Sequence, residues 1–300
     1  MSVIETTGLT KRYGRLCAIE DISLTVEEGE VFGFLGPNGA GKTTTIRTLM
    51  GFLHPTAGSA RVFGLDSQRD SVAIRRRVGN LPGDFTFDDA MTGRQIVRYF
   101  ARLRGEPDVK HADELAERLS ADLDRPLREL SRGNRQKIGL IQAMFHRPSL
   151  LMLDEPTSGL DPLIQEEFME LIDETRQAGR TVFVSSHNLP EIERICDRVG
   201  VIRSGRLIAV ESIDELARKA LHSVRITFEQ PIDPAPFLAL PGVHGLTSDG
   251  AKLAFTVERD LDAVIKLTAT HNVVDFDCER PSLEDVFLTY YEQHEHRTTA

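Results

Sequence analysis

The segment VFGFLGPNGAGKTTTIRTLM, residues 31–50, joins a short apolar run to a helical pattern through a glycine-rich turn. The first five residues have the length and apolar character of a buried strand. From Gly36 to Thr43 the turn matches GxxxxGK followed by Ser or Thr. Backbone N–H groups of such a turn can surround a polyphosphate, and the helix N-terminus adds partial positive charge. The segment therefore predicts a phosphate-binding loop between a strand and a helix.

Two side chains of this loop have predicted contacts of their own. Lys42 is expected to reach the β- and γ-phosphates of a nucleotide, and the hydroxyl of Thr43 is expected to bind Mg²⁺. A plain glycine-rich turn is the alternative, which the flanking strand and helix disfavour. The predicted nucleotide-binding residues of the loop are Gly36, Pro37, Asn38, Gly39, Ala40, Gly41, Lys42, Thr43 and Thr44.

Two adjacent carboxylates, Asp154 and Glu155, follow the apolar run Leu150–Leu153. Carboxylates at the end of a buried strand are costly unless they meet a cation or a hydrogen-bond donor. Asp154 is expected to bind Mg²⁺ through water, and Glu155 to accept a proton from an attacking water. A solvated pair of carboxylates is the alternative, which the surrounding α/β pattern disfavours.

Short apolar runs alternate with helical patterns over the first two thirds of the chain. Further runs lie at Thr181–Val184 and Val199–Ile202, residues 92–146 have a helical pattern, and residues 1–27 indicate short alternating strands. Strands that are apolar throughout and separated by helices are typical of a parallel sheet covered on both faces. The fold class predicted for this part is α/β.

The last part of the chain has a different, more acidic pattern, in which strands and helices follow a βαββαβ order. That order is the split-βαβ, or ferredoxin-like, pattern. Asp249-Gly250 predicts a hairpin turn between the second and third strands. The predicted elements are strands at Ser223–Glu229, Val243–Ser248, Ala251–Val257 and Val273–Cys278, and helices at Pro234–Leu240, Leu261–Thr270 and Leu283–Tyr291.

The composition describes an ordinary folded chain, since 40% of its 300 residues are hydrophobic and 27% are charged. Its net charge of −10 disfavours a general nucleic-acid-binding protein. No membrane span and no secretion signal are predicted, because long apolar runs are missing. We therefore expect a cytoplasmic chain with Cys17, Cys196 and Cys278 as buried free thiols.

The segment Leu130-Ser-Arg-Gly-Asn-Arg-Gln136 opens a predicted helix that ends near His146. A serine at a helix start, with a glycine nearby, offers a hydroxyl, free amides and the helix dipole to an anion. Taken alone, it is better explained as a plain N-cap. In company with the phosphate loop and the paired carboxylates, it resembles LSGGQ, the signature of ATP-binding cassette (ABC) proteins.

The resemblance covers roughly residues 3–215 and implies roles for further residues. Tyr13 would stack on the adenine of ATP, and Ser131 and Gly133 would bind the nucleotide held by a partner chain. In the loop Ser158–Asp161, which crosses to the partner, Asp161 would also contact nucleotide. His187 would contact the γ-phosphate and join Glu155 in catalysis.

Further features refine the comparison with the family. Asn188 and Glu191 are spaced as an N-cap and N3 pair for the helix after His187. The segment Pro281–Tyr291 is similar to the C-terminal extension of ATPase subunits of bacterial drug and antibiotic exporters.

Two departures from the family pattern stand out. Arg132 and Asn134 replace a Gly and the Gln of LSGGQ. Gly83 stands where the family usually has a Gln or Glu that touches Mg²⁺ and senses the membrane subunit. The neighbouring Asp84 is the candidate to replace it.

The resemblance implies a P-loop ABC ATPase domain at residues 1–220, with an antiparallel β subdomain and a helical subdomain at about 85–147. A C-terminal α+β domain, residues 222–300, would follow. Such a domain hydrolyses ATP to ADP and phosphate, with ATP and Mg²⁺ as cofactors. Two copies would enclose two MgATP molecules as a homodimer.

A separate transmembrane permease is the implied partner, docked on the helical subdomain, with the ATPase held peripherally at the cytoplasmic face of the membrane. No nucleic acid partner is expected. The predicted function is export of a drug, antibiotic or lipid. Two alternatives stay open: the ATPase subunit of an importer, and a soluble ABC ATPase that acts outside transport.

Overall fold

A computed structural model describes residues 1–105, 108–219, 222–257 and 261–279 of the chain. These residues form two compact units, which divide after Glu211. The predicted helix Leu283–Tyr291 and the exporter-like segment Pro281–Tyr291 lie outside the described residues.

An antiparallel sheet begins the first unit. Two strands of twelve residues, β1 (Ser2–Tyr13) and β2 (Leu16–Glu27), pair along their whole length, so they are longer than predicted. Strands β4 (Ala57–Val62) and β5 (Leu65–Asp66) extend the sheet in the order β2-β1-β4-β5.

The second sheet of this unit is the predicted parallel one. Its strands are β3 (Val31–Leu35), β6 (Val78–Leu81), β7 (Leu150–Asp154), β8 (Thr181–Ser186), β9 (Arg198–Arg203) and β10 (Arg206–Ser212). The order is β10-β9-β3-β8-β7-β6, and the pairs from β9 to β6 are parallel. Strands β3, β7 and β8 are buried at every position, as expected for a sheet covered on both faces. The predicted α/β class is confirmed.

Helices connect these strands. They are α1 (Lys42–Leu49), α2 (Ser71–Arg77), α3 (Gly93–Arg104), α4 (Lys110–Arg118), α5 (Arg132–Met144), α6 (Pro162–Gln177) and α7 (Leu189–Ile195).

Local sequence signals explain where several of these helices begin and end. Thr92 and Gln95 form a capping box at the start of α3, and Gly105 ends it at a φ of 76°. Asp161 caps α6, whose first residue is Pro162.

The second unit has the predicted βαββαβ order. After α8 (Ile213–Lys219) it contains β11 (His222–Phe228), α9 (Ala235–Leu238), β12 (Val243–Asp249), β13 (Lys252–Val257), α10 (Leu261–Thr268) and β14 (Val273–Glu279). The strands form one sheet in the order β12-β13-β11-β14. Asp249-Gly250 joins the antiparallel β12 and β13, so the predicted hairpin is confirmed. Helix α9 is shorter than the predicted Pro234–Leu240.

The three cysteines form no disulfide, but they are not all buried as predicted. Cys196 is buried, and burial raises the pKa of its thiol, whereas Cys17 and Cys278 are only partly buried.

Across the part of the chain that the structure describes, no helix has both the length and the apolar character needed to cross a membrane.

Three phenylalanines pack against one another at the centre of the parallel sheet. Phe183 is fully buried, and its ring centroid lies 5.7 Å from that of Phe32 and 5.5 Å from that of Phe34. Both partners belong to β3, the strand that leads into the phosphate loop.

We expect Phe183→Ala to lower the free energy of unfolding by about 3–5 kcal/mol, because it leaves a cavity at this cluster. Urea denaturation followed by circular dichroism measures the change. Phe52→Ala is the matched control, since Phe52 is 54% exposed and its loss should change stability by about 0.5 kcal/mol at most. Equal losses in the two variants would contradict the assignment of the core.

Candidate active site

The phosphate loop lies between β3 and α1, as predicted, and two of its glycines are required by shape. Gly41, the N-cap of α1, has a φ of 110°, and a Cβ there would lie 2.7 Å from Ile19 and 2.8 Å from the carbonyl oxygen of Ala18. A Cβ on Gly36 would lie 2.3 Å from the carbonyl oxygen of Ile202. Side chains at these positions would force the loop away from the sheet.

An open cleft of about 450 Å³ lies over the loop. Eight of the predicted nucleotide-binding residues, Pro37 to Thr44, line it together with Glu155. The cleft is also lined by residues for which the sequence predicted no role in nucleotide binding. They lie at the start of β2 and in the turn between β9 and β10. These are Leu16, Cys17, Ala18, Ser204 and Gly205.

Three predicted side chains meet at the edge of this cleft. Lys42 is 5% exposed, and its Nζ lies 3.0 Å from Oε1 of Glu155. The other oxygen of Glu155, Oε2, lies 2.7 Å from Nδ1 of His187. The ammonium of Lys42 also donates to the carbonyl oxygens of Gly36, at 2.5 Å, and Pro37, at 3.2 Å. The cluster places a cation, a carboxylate and an imidazole within reach of the phosphate loop.

Asp154 is held more deeply than its neighbour. It is 1% exposed, and Ser185 donates a hydrogen bond to Oδ1 at 2.5 Å. Its other oxygen, Oδ2, is buried and has no hydrogen-bond partner among the described residues. A buried carboxylate oxygen without a donor is unfavourable, and a hydrated cation would satisfy it.

The backbone of Glu155 has an unusual conformation. Its φ is 50°, in the left-handed region that residues other than glycine seldom adopt, and such strain is frequent at functional sites. Two neighbouring elements hold it there. The N–H of Glu155 donates to the carbonyl oxygen of Ser185 at 3.1 Å. Gln136 of α5 donates Nε2 to the carbonyl oxygens of Glu155, at 3.2 Å, and Pro156, at 2.9 Å.

The signature residues lie outside the cleft of their own chain. Ser131 caps α5, since its Oγ accepts from the N–H of Asn134 at 3.3 Å. Gly133 packs against the neighbouring loop, where a Cβ would lie 2.4 Å from the carbonyl oxygen of Gly159. Asp161 likewise accepts at Oδ1 from the N–H of Ile164 as the cap of α6.

Tyr13 is not part of the cleft lining either. It ends β1, is 47% exposed, and has Nζ of Lys11 at 5.2 Å from its ring centroid. Leu16, which pairs with Tyr13 across the β1–β2 hairpin, is the residue that lines the cleft.

Comparisons with known proteins agree with these motifs. Residues 19–158 match the profile of the ABC transporter family. The chain is 37% identical to a bacitracin transport ATP-binding protein of Bacillus licheniformis, over 73% of this chain and 72% of that protein. It is 34% identical to a daunorubicin resistance ATP-binding protein of Streptomyces coeruleorubidus, over 96% and 95% of the two chains.

The chain belongs to the ABC transporter family. It is an ATP-binding subunit that hydrolyses ATP to ADP and phosphate. This hydrolysis is coupled to transport. One solved ATP-binding subunit of an ABC transporter matches with a TM-score of 0.66 and 28% identity, over 72% of this chain and 92% of that one. A dimeric bacterial cassette matches in fold, with a TM-score of 0.65 and 23% identity over 70% and 98%.

This ABC subunit departs from the sequence predictions at the helix after His187. Asn188 is the N-cap of α7, as expected, but its side chain accepts no helical N–H. It donates Nδ2 to Glu191 at 3.2 Å instead. Glu191 is buried and also accepts from Thr157, at 2.8 Å, and Ser186, at 3.0 Å. The pair therefore ties α7 to the loop after β7.

The sequence did not single out Gln136 and Ser185, which contact the backbone of Glu155 and the carboxylate of Asp154. Gln136 stands within the signature segment, but nothing local indicates that it reaches the strand end at Glu155. Ser185 stands in an apolar strand and looks like an ordinary buried serine. Only the neighbouring strands β7 and β8 bring Ser185 beside Asp154.

We expect Gln136→Leu to lower the free energy of unfolding by about 1–3 kcal/mol, because Pro156 loses the donor to its buried carbonyl oxygen. Chemical denaturation gives the value. Gln142→Leu, six residues further along α5, is the matched control for a buried glutamine. A loss confined to Gln142→Leu would contradict the role of Gln136.

Proposed function

We propose that the chain powers the export of a drug, antibiotic or lipid through a separate transmembrane permease. The observation that carries this proposal is the end-to-end similarity to the daunorubicin resistance protein, over 96% of this chain. That similarity extends beyond the cassette into the βαββαβ unit. The similarity to the bacitracin transport protein supports an antibiotic as the transported molecule.

The proposed roles within the cleft follow from its charges. Lys42 contacts the β- and γ-phosphates of ATP, and His187 contacts the γ-phosphate. Glu155 orients the attacking water and takes its proton. Tyr13 stacks on the adenine, next to its cross-strand partner Leu16, which lines the cleft.

A Mg²⁺ ion fits the residues at the strand end. Thr43 offers a hydroxyl in the cleft, and Asp154 offers a buried carboxylate oxygen that lacks a donor. Oxygen donors of this kind suit Mg²⁺, which keeps several waters. When bound, the ion neutralises charge on the phosphates during hydrolysis.

The proposed active form is a homodimer in which two chains enclose two MgATP molecules. Ser131, Gly133 and Asp161 would act on the nucleotide of the partner chain. Their position outside their own cleft supports this arrangement, as does the dimeric form of one related cassette.

The proposed setting is the cytoplasmic face of a membrane, where the permease holds the chain peripherally. Its docking surface is the region from residue 85 to 147, which contains α3, α4 and α5. No nucleic acid takes part. The proposed domains are an ATPase domain at residues 1–220 and a C-terminal domain at 222–300, whose role is dimerisation or regulation.

Glu155→Gln should preserve ATP binding and lower the hydrolysis rate by about 10²- to 10⁴-fold, because the amide cannot take the proton of the water. With hydrolysis blocked, size-exclusion chromatography should show a dimer that depends on MgATP. Glu166→Gln, an exposed glutamate of α6, is the matched control and should hydrolyse ATP normally. A Glu155→Gln variant with normal turnover would remove Glu155 from the mechanism, and one that binds MgATP but stays monomeric would contradict the dimer.

Lys42→Ala should raise the accumulation of daunorubicin or bacitracin in cells that express the chain with its permease, because the ATPase loses its phosphate contact. Cellular drug content and growth inhibition measure the effect. Lys266→Ala, an exposed lysine of α10, is the control and should leave both unchanged. Unchanged drug content combined with lower uptake of a nutrient would favour an importer.

A further inference from the structure

The turn between β9 and β10, formed by Ser204 and Gly205, lies against the phosphate loop. Strand β9 pairs with β3, the strand that leads into the loop, so the turn after β9 emerges beside it. The N–H of Gly205 donates to the carbonyl oxygen of Ala40 at 2.9 Å. Both residues of the turn also line the cleft. The turn is therefore fixed to the loop at the edge of the proposed nucleotide site.

On its other side the same turn contacts strand β2. The carbonyl oxygen of Gly205 accepts from the N–H of Glu20 at 2.7 Å. A Cβ on Gly205 would lie 2.8 Å from the carbonyl oxygen of Ala18 and 3.2 Å from Cα of Ile19. Ile19 is fully buried, so β2 cannot yield here without disturbing close-packed neighbours. The backbone of Gly205 therefore fills the space between the phosphate loop and β2 and leaves no room for a side chain.

Strand β2 supplies the part of the cleft that the phosphate loop does not. Residues 16–18 of β2 line the cleft, and Leu16 pairs with Tyr13 across the hairpin. Because the phosphates of ATP occupy the loop in the proposed site, residues 16–18 border the nucleoside. The distance between β2 and the loop then decides whether both halves of ATP make their contacts at once.

A charged group joins the turn to the tip of the same hairpin. The carboxylate of Glu20 accepts from Arg206, the first residue of β10, at 2.8 Å. It also accepts from Arg12, the residue before Tyr13, at 3.0 Å. Ion pairs that are this exposed each contribute little to stability. The main link between turn and hairpin is therefore the backbone of Gly205.

A second turn of the same unit has the same shape without the contact. Ser204 and Gly205 have φ values of 49° and 80°, as in a type I′ hairpin turn, and Phe63 and Gly64 between β4 and β5 have values of 55° and 74°. A Cβ on Gly64 would meet none of the described atoms within 4 Å. Alanine at Gly64 thus adds the same backbone strain as alanine at Gly205, but no collision.

We propose that Gly205 is a positioning residue that sets the distance between the phosphate loop and residues 16–18 of β2. Its N–H holds the loop at Ala40, and its carbonyl oxygen holds β2 at Glu20. The absence of a side chain keeps the two close enough for the nucleoside and the phosphates to bind together. The inference rests on the proposed placement of ATP in this cleft.

The first test compares ATP with inorganic tripolyphosphate, which has no nucleoside, by isothermal titration calorimetry. Gly205→Ala should weaken ATP binding by about 10-fold, the order of one base-stacking contact, because its methyl group separates β2 from the loop. Tripolyphosphate should bind with wild-type affinity, since Lys42 and the loop are unchanged. Gly64→Ala is the matched control and should change neither affinity.

Gly205→Asn separates the collision from the backbone strain. Asparagine tolerates the left-handed conformation but carries a Cβ, so it should show the same selective loss of ATP affinity. Three results would overturn the proposal: an equal loss for ATP and tripolyphosphate in Gly205→Ala, a selective loss in Gly64→Ala, or a wild-type ratio of the two affinities in Gly205→Asn.

A further variant changes the distance without adding a side chain at Gly205. One glycine inserted after Ser204 gives a three-residue hairpin loop, a common length that the fold should accept. It should again weaken ATP and spare tripolyphosphate, and an unchanged ratio of the two affinities would count against the role of Gly205. Lys42→Ala should weaken both ligands. If it weakened neither, the proposed nucleotide site itself would be wrong.

Discussion

Lys42 carries a positive charge into a site where only 5% of its side chain is exposed, and that charge must be balanced there. In the cleft the balance comes from Glu155 and from two carbonyl oxygens of the phosphate loop. The phosphate loop, the end of β7 and the end of β8 are therefore fixed relative to one another. In the proposed site, a triphosphate that enters the cleft would replace Glu155 as the partner of the ammonium. That exchange would free the carboxylate for a water molecule.

The parts of the site that obey local rules could be predicted from the sequence. The strand, turn and helix around Gly36–Thr44 follow from an apolar run, a glycine pattern and a helical period. The same holds for the hairpin at Asp249-Gly250 and for the cap at Ser131, which need only their immediate neighbours. The assembly of Lys42, Glu155 and His187 could be anticipated because the ends of adjacent parallel strands meet at one edge of a sheet.

Contacts between distant elements could not be predicted in the same way. Gln136 and Ser185 are ordinary residues of a helix and a strand, and their partners are determined by how α5 and β8 pack on β7. Leu16 lines the cleft because it pairs with Tyr13 across a hairpin whose tilt no local pattern specifies. At Gly83 the sequence showed only a departure from the family pattern. The contact of Gly83 with the carboxylate of Asp154 depends on how the two segments pack.

Helix α5 has contacts at two points, and this has a consequence for the proposed homodimer. At its start the helix carries Ser131, which would serve the nucleotide of the partner, and one turn later Gln136 holds the backbone of Glu155 in its own cleft. In the proposed dimer, a helix held at both points would transmit a change at one nucleotide to the other. Such linkage is reciprocal by thermodynamic necessity, so each ATP bound must change the affinity for the second by the same factor. The pair would then behave as one cooperative unit with two ligands.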